Sequence, residues 1–289
     1  MNRSTRFRSG ALAALPLLLA LPAFAPSGNP AFDQAPARVV GAAVPGGLRV
    51  AVTIPSANKV VLLDQTGRTL KEFDPIPEPV GLGAGGGRVY VGSSAHGSVQ
   101  VFDLQARPQG VLGAGNGEFE RPTDIAVSPV DGRVFVVDAG RAEIRGFDPA
   151  TGQEVARIGD GVLSQPSAVA IAADGTIFTG DLVRGVVDRF DAAGNHLGSF
   201  TTFGSNPGQT VRPTGIAFDA RGRVYVVDTY LDQVDVYQAD GTFITTLGAF
   251  GNGQGLMMNP LDVWVSPTNG AVLVTDLGDW ELEVFPAVP

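Results

Sequence analysis

From about residue 36 to the end, the chain alternates short apolar runs with clusters of Gly, Asp, Asn and Pro. The clearest stretch is RPTGIAFDARGRVYVVDTYLDQVDVYQADGTFITTLGAFG, residues 212–251. IAF leads to a turn at Asp219–Gly222, and RVYVVD, apolar at nearly every position, follows. A polar loop at Thr229–Gln233 precedes VDVYQ, and an Ala239–Asp240–Gly241 turn precedes TFITTLG. Runs of β-branched and aromatic residues bounded by turn formers read as antiparallel strands joined by tight hairpins. Four such strands cannot bury both faces of their own sheet, so the unit needs a neighbour on each side.

The rest of the chain supplies those neighbours. Laying Pro213 over Pro36, Pro79, Pro122, Pro166 and Pro260 brings Gly222 onto Gly47, Gly87, Gly132, Gly175 and Gly270. The second strands then read LRVAVT, RVYVGS, RVFVVD, TIFTGD, RVYVVD and AVLVTD. Repeats starting near residues 36, 79, 122, 166, 213 and 260 have the period of a four-stranded propeller blade. The expected fold is all-β: a six-bladed β-propeller of four-stranded antiparallel blades, one domain over 36–289. Its second strands should centre near Val50, Tyr90, Phe135, Phe178, Tyr225 and Leu273. The last repeat ends after its third strand, WELEVF, so an N-terminal segment must close the ring and cover the open edge. Two segments qualify: the leader (26–35) around Pro30–Gln34, or the strand Arg38–Val44.

The units PTDIAV…GRVFVVD…IRGFD and PTGIAF…GRVYVVD…VDVY resemble the NHL repeat family, in an exported bacterial-type form. The resemblance covers essentially 36–289 and is strongest from Pro122 to Phe285. It implies a six-bladed propeller of a kind that acts mostly as a binding platform. The family's Asn and Arg before the third strand are absent; those loops read AGRAE, LVRGV, TYLDQ and LGDWE, so no family ligand is carried over.

Residues 1–25 carry a basic head (Arg3, Arg6, Arg8), an apolar run from Ala11 to Leu21, and Ala23-Phe24-Ala25 as a cleavage pattern. This is the form of a secretory signal peptide, implying a secreted or periplasmic protein. Pro26 just past the cut leaves the cut position open. The run is too short and too proline-interrupted to span a membrane comfortably. Its removal takes away three arginines and no acids, moving the net charge from −9 to −12. Such a surface repels phosphate backbones, which argues against a nucleic-acid partner. Without cysteine there is no disulfide or thiolate chemistry. No membrane span is expected after signal removal, and the mature protein is read as a monomer.

Candidate chemistry lies on one rim. Six residues after each registered glycine come Thr53, Ser93, Asp138, Asp181, Asp228 and Asp276, all closing second strands on the same face. With Asp124 and Asp262, which begin first strands, they could ring a Ca²⁺ ion. Repetition of one residue at one place favours loop capping instead. Between these aspartates and the third strands lie Arg141, Arg184, Tyr230, Asp279 and Trp280. They differ from blade to blade and, with the loop residue His96, form the expected partner face. His196 is expected in a hairpin turn on the opposite face, so the two histidines share neither a metal nor a relay. Gly81–Gly86 fits G-x-G-x-x-G but runs into a strand rather than a helix, and reads as a hairpin turn. The expected function is an exported, non-enzymatic binding or scaffold propeller for a protein, peptide or glycan, with no catalytic residue and no cofactor beyond that Ca²⁺. The alternative is a metal-dependent lactonase or hydrolase of the gluconolactonase type, whose axial cation is held by Glu, Asn and Asp; the chain offers Asn58, Asp124 and Asp262 for it but no evident Glu on an inward first strand.

Overall fold

The computed structural model describes residues 28–45 and 47–289; the expected signal peptide, residues 1–25, lies outside the described residues. Within them six antiparallel sheets form the blades of a propeller, the strands of each blade hydrogen-bonded in chain order. The first strands are Val39–Val44, Pro79–Gly85, Pro122–Val127, Pro166–Ile171, Pro213–Phe218 and Pro260–Val265. The second strands are Gly47–Ile54, Arg88–Ser93, Val134–Asp138, Ile177–Asp181, Val224–Asp228 and Val272–Asp276. Third strands begin at Lys59, Ser98, Glu143, Val186, Gln233 and Glu281, and fourth strands complete blades one to five. A short parallel pair, Thr202–Phe203 with Gln209–Thr210, sits in the loop between blades four and five.

The leader closes the ring. Ala31 bridges Glu281 in antiparallel fashion. Phe32 N donates to Trp280 O (2.8 Å) and Leu282 N donates to Pro30 O (2.9 Å). Asn29 Nδ2 adds side-chain bonds to Glu283 Oε1 (2.7 Å) and Glu281 Oε1 (3.2 Å). The other candidate, Arg38–Val44, is instead the innermost strand of blade one.

Two local expectations need correction. Pro79, Pro122, Pro166, Pro213 and Pro260 each stand opposite the last residue of a second strand. In blade one Ala37 N donates to Thr53 O (2.9 Å), so Ala37 and not Pro36 holds that place. Proline contributes no N–H to the pairing, so another residue can take its position without loss. The glycines of Gly81–Gly86 are also not a hairpin turn: Gly81, Gly83 and Gly85 lie within the first strand of blade two, and the turn is Gly86–Gly87. A Cβ on Gly81 would lie 2.6 Å from Pro122 O, and one on Gly83 2.5 Å from Ile125 O. Alternate glycines let the inner strand of blade two approach that of blade three.

Apolar burial lies between blades. Six core clusters fill the six blade-to-blade interfaces of the described residues. The second strand of blade three shows the logic. Val134 and Val136 pack toward blade two, Phe135 and Val137 toward blade four. Period-two alternation therefore leaves no polar side in these strands, which is why they read as continuous apolar runs.

Phe135 is 2% exposed and packs with Ile144, Ile158, Val169, Ile177 and Phe190. Phe135→Ala is expected to lower the unfolding free energy by about 3–5 kcal/mol, read by denaturant titration at unchanged slope. A loss below about 1 kcal/mol would contradict this packing.

Candidate functional site

The first strands line a central channel, and the residues that follow the registered prolines face it together. At the upper level stand Arg38, Val80, Thr123, Ser167, Thr214 and Leu261, all lining one cavity. Arg38, from blade one, crosses this channel. Its Nε donates to Thr123 O (3.1 Å), Nη1 to Thr214 O (2.8 Å) and Nη2 to Ser167 O (2.8 Å). Nη1 also lies 3.4 Å from Asp262 Oδ1, and Nε 3.9 Å from Asp124 Oδ1. One buried side chain thus touches blades three, four, five and six.

Asp124 and Asp262 sit one level lower, with Gly81 and Gly215 at the matching pairing positions. Each aspartate also ties its blade to the next. Asp124 Oδ2 accepts from Val169 N (2.8 Å), and Asp262 Oδ2 accepts from Val39 N (2.9 Å). Burial pushes the Asp124 carboxyl up to about 7; the Arg38 charge opposes the rise and the Asp262 charge adds to it. Burial raises Asp262 as well, again against Arg38. One guanidinium balances one carboxylate, so the second carboxyl keeps its proton into the neutral range.

The rim aspartates have different work. Asp181 accepts backbone N–H bonds from Ser164 and Gln165 upstream and from Val183 and Arg184 downstream. Asp228 does the same for Val211, Arg212, Tyr230 and Leu231. Asp138 takes Glu120 N and Arg121 N, and Asp276 takes Met258 N and Gly278 N. Each carboxylate therefore pins the loop entering its blade to the loop leaving the second strand. Thr53 and Ser93 make related bonds, to Arg38 N and Pro77 O. Asn58 Oδ1 accepts from Glu78 N (2.9 Å) in an exposed loop contact. Among the described residues no group of three or more His, Asp or Glu side chains converges as a metal site.

The sequence-derived face residues divide into tethered and free. Arg141 bonds Asp138 and Glu118 O; Arg184 bonds Asp188 and Ser199 Oγ. Tyr230 and Trp280 are 68% and 48% exposed. His96 is exposed and Asp279 half-buried on the same set of loops. His196 opens the fourth strand of blade four rather than sitting in the turn before it, with Nε2 3.0 Å from Asp188 Oδ1. Its backbone pairs with Phe190 of the adjacent strand, which places it in the sheet.

Other features were missed. Val183, Phe203, Phe250 and Leu256 are exposed on loops of the same face, in blades four to six. Asn58, Gly97, Ala142, Gly185, Asp232 and Trp280, each just before a third strand, all have positive φ. Arg38 was missed too; its signal was a charge entering the apolar strand VVGAAV. So was a buried set at the third residue of third strands: Arg145, Asp188, Asp235 and Glu283. Above Arg38 the channel opens into a funnel of ≈ 660 Å³. Its wall includes Arg121, Gln165, Arg212 and Asn259, the residues just before four successive first strands, and among the described residues no Asp or Glu lines it.

No protein-family model matches this chain, and no curated protein matches it. Solved structures do. Kuenenia stuttgartiensis hydrazine synthase superposes with a TM-score of 0.63 at 16% identity, over 96% of this chain and 99% of that one. A gluconolactonase from Xanthomonas campestris gives 0.69 at 14% identity, over 88% and 87%. Virginiamycin B lyase from Staphylococcus aureus gives 0.62 at 15% identity, over 89% and 86%. At such identities the likeness is one of fold: a six-bladed propeller.

Because the folded ring binds the Asp124 proton more tightly than the unfolded chain, its contribution to stability is complete below about 3.8 and is lost as pH rises through about 7. Within that window the loss runs at roughly 1.4 kcal/mol per pH unit. Asp124→Asn should therefore gain on wild type as pH rises from 5 to 8, measured by denaturant unfolding at both values. A pH-independent difference would contradict the assignment.

Proposed function

We propose that this protein is an exported, non-enzymatic binding propeller of the NHL type, monomeric, with a protein or peptide partner seated on the rim of blades four to six. The observation that carries this reading is the set of large apolar side chains left in water there. Val183, Phe203, Tyr230, Phe250, Leu256 and Trp280 all stand on loops that the topology brings to one face. Exposed apolar groups concentrated on one face mark interaction surfaces, and Tyr and Trp dominate such contacts. The mixture of aliphatic and aromatic side chains favours a polypeptide over a glycan.

Trp280 adds a second reason. It occupies the left-handed position at φ +59, which Gly97, Gly185, Asn58, Ala142 and Asp232 fill in the other blades, all smaller residues. A bulky residue there is strained, and strain of this kind gathers at functional positions. The rim aspartates act in this reading as the rigid frame from which the variable loop tips project.

Trp280→Gly separates binding from folding. Stability should hold to within about 1 kcal/mol, because glycine adopts this backbone freely. Retention of the captured partner should fall by about 2 kcal/mol in affinity. Cross-linking capture from the exported fraction, with wild type, Trp280→Gly and the opposite-face variant Val130→Ser, checks this. Equal capture by all three would sink the reading.

The lactonase alternative requires a cation where Arg38 already stands. Its guanidinium supplies the positive charge between Asp124 and Asp262 and takes up three backbone carbonyls, and Asn58 is engaged by Glu78. These residues do not fit a divalent ion. Calorimetry should detect no saturable Ca²⁺ uptake by wild type at millimolar concentration. Arg38→Ala should lose about 3–5 kcal/mol, the cost of a broken buried pair, and regain stability with added Ca²⁺. Stoichiometric uptake by wild type that vanishes in Asp262→Ala would restore the enzyme reading.

A further inference from the structure

We infer that the funnel above Arg38 is a binding site for the oxyanion of a small ligand, a carboxylate or a phosphate. The inference goes beyond the rim-binding reading and rests on different residues. Four successive blades present, at the position just before the first strand, Arg121, Gln165, Arg212 and Asn259. All four are hydrogen-bond donors, and two carry a positive charge. Their backbones are held in place: Arg121 N donates to Asp138 Oδ1 (2.8 Å) and Arg212 N to Asp228 Oδ2 (3.1 Å). Yet neither guanidinium has a hydrogen bond or ion pair among the described residues.

Both arginines are exposed at the cavity, open to a ligand from solvent, in a chain of net charge −9. Glu120, next to Arg121 in the chain, is exposed and forms no ion pair with it, and three further acids are engaged elsewhere. Asp138 and Asp228 cap loops, and Asp232 accepts from Asn259 N (2.7 Å). Glu78, which holds the Arg121 position in blade two, accepts from Ser94 Oγ (2.6 Å) and does not line the funnel. The wall thus carries positive charge and neutral donors while the molecule as a whole repels anions. General attraction cannot load this site; only local recognition can.

The chemistry selects the ligand class. A guanidinium offers a planar fork of N–H donors that matches carboxylate and phosphate oxygens in pairs. A funnel of ≈ 660 Å³ falls in the range of small-molecule sites. Arg38, held by carbonyls and balanced by the Asp124 and Asp262 carboxyls, closes the floor without being free to move.

Titration calorimetry at low ionic strength with citrate and with inorganic phosphate tests this. Saturable one-to-one binding of at least one probe is expected, and the preferred probe assigns the group as carboxylate or phosphate. The double variant Arg121→Ala/Arg212→Ala should weaken it at least tenfold with its melting temperature unchanged. Trp280→Gly should leave it intact, so failure of the rim reading and failure of this one are distinguishable. Three results would overturn the inference: no saturable heat with either probe, unaltered binding by the double variant, or equal weakening by Arg68→Ala on the far side of the ring.

Discussion

A guanidinium does not give up its proton, so placing Arg38 on the axis obliges the ring to surround it with oxygens. Three carbonyls, from Thr123, Ser167 and Thr214, and two carboxyls, Asp124 and Asp262, do so. No single blade holds this set. It exists only when the ring has closed and blades one, three, four, five and six stand at their proper radius. The axial contacts therefore report closure, and the same contacts decide the channel's chemistry by placing a fixed positive charge where other ligands would have to sit.

Closure in turn depends on a weak point of the topology. Among the described residues blade six has three strands of its own, and an uncovered strand edge invites pairing with other chains. Pro30 and Phe32 satisfy that edge by backbone bonds, and Asn29 reaches the buried Glu283 behind it. Burial lifts the Glu283 carboxyl to about 7, with neighbouring Glu281 pushing the same way. A polar seam of this kind recurs between the outer strands. Arg145 is held by Glu118 and Glu154 over the rings of Phe119 and Phe147, and Asp235 by Thr246 and Gln233. Buried polar groups cost stability unless satisfied, and here Arg145 is satisfied by ion pairs while Asp235 and Glu283 are satisfied by hydrogen bonds from neutral donors.

The upper face shows a division of labour that follows from the same geometry. Carboxylates at strand ends have backbone N–H groups of two loops within reach, and they satisfy them. That leaves loop tips free to vary, and in blades four to six the tips carry aromatic and aliphatic groups in place of glycine or short polar residues. The stiffness of the frame makes such a surface preorganised, which lowers the ordering cost of binding.

How much of this was legible depends on whether a feature repeats. Strand order, blade number and interblade packing could be read from Val134–Val137 and its five counterparts, because periodic burial writes a periodic pattern. The aspartates at second-strand ends were legible for the same reason: a local bond to nearby N–H groups recurs wherever the local geometry recurs. The one-residue offset at Pro36 was not, since proline fills this position in the other five blades without donating a bond and nothing in the local sequence marks that Ala37 takes it in blade one. Gly81, Gly83 and Gly85 resembled a turn because a close approach by another blade leaves no mark in the local sequence. Arg38 appeared as an ordinary charge at a strand entrance, and Arg121 and Arg212 as ordinary loop residues. Local sequence thus determined the blades, while only the closed ring decided what faces the axis, because those contacts join residues from five blades that are neighbours in space and not along the chain.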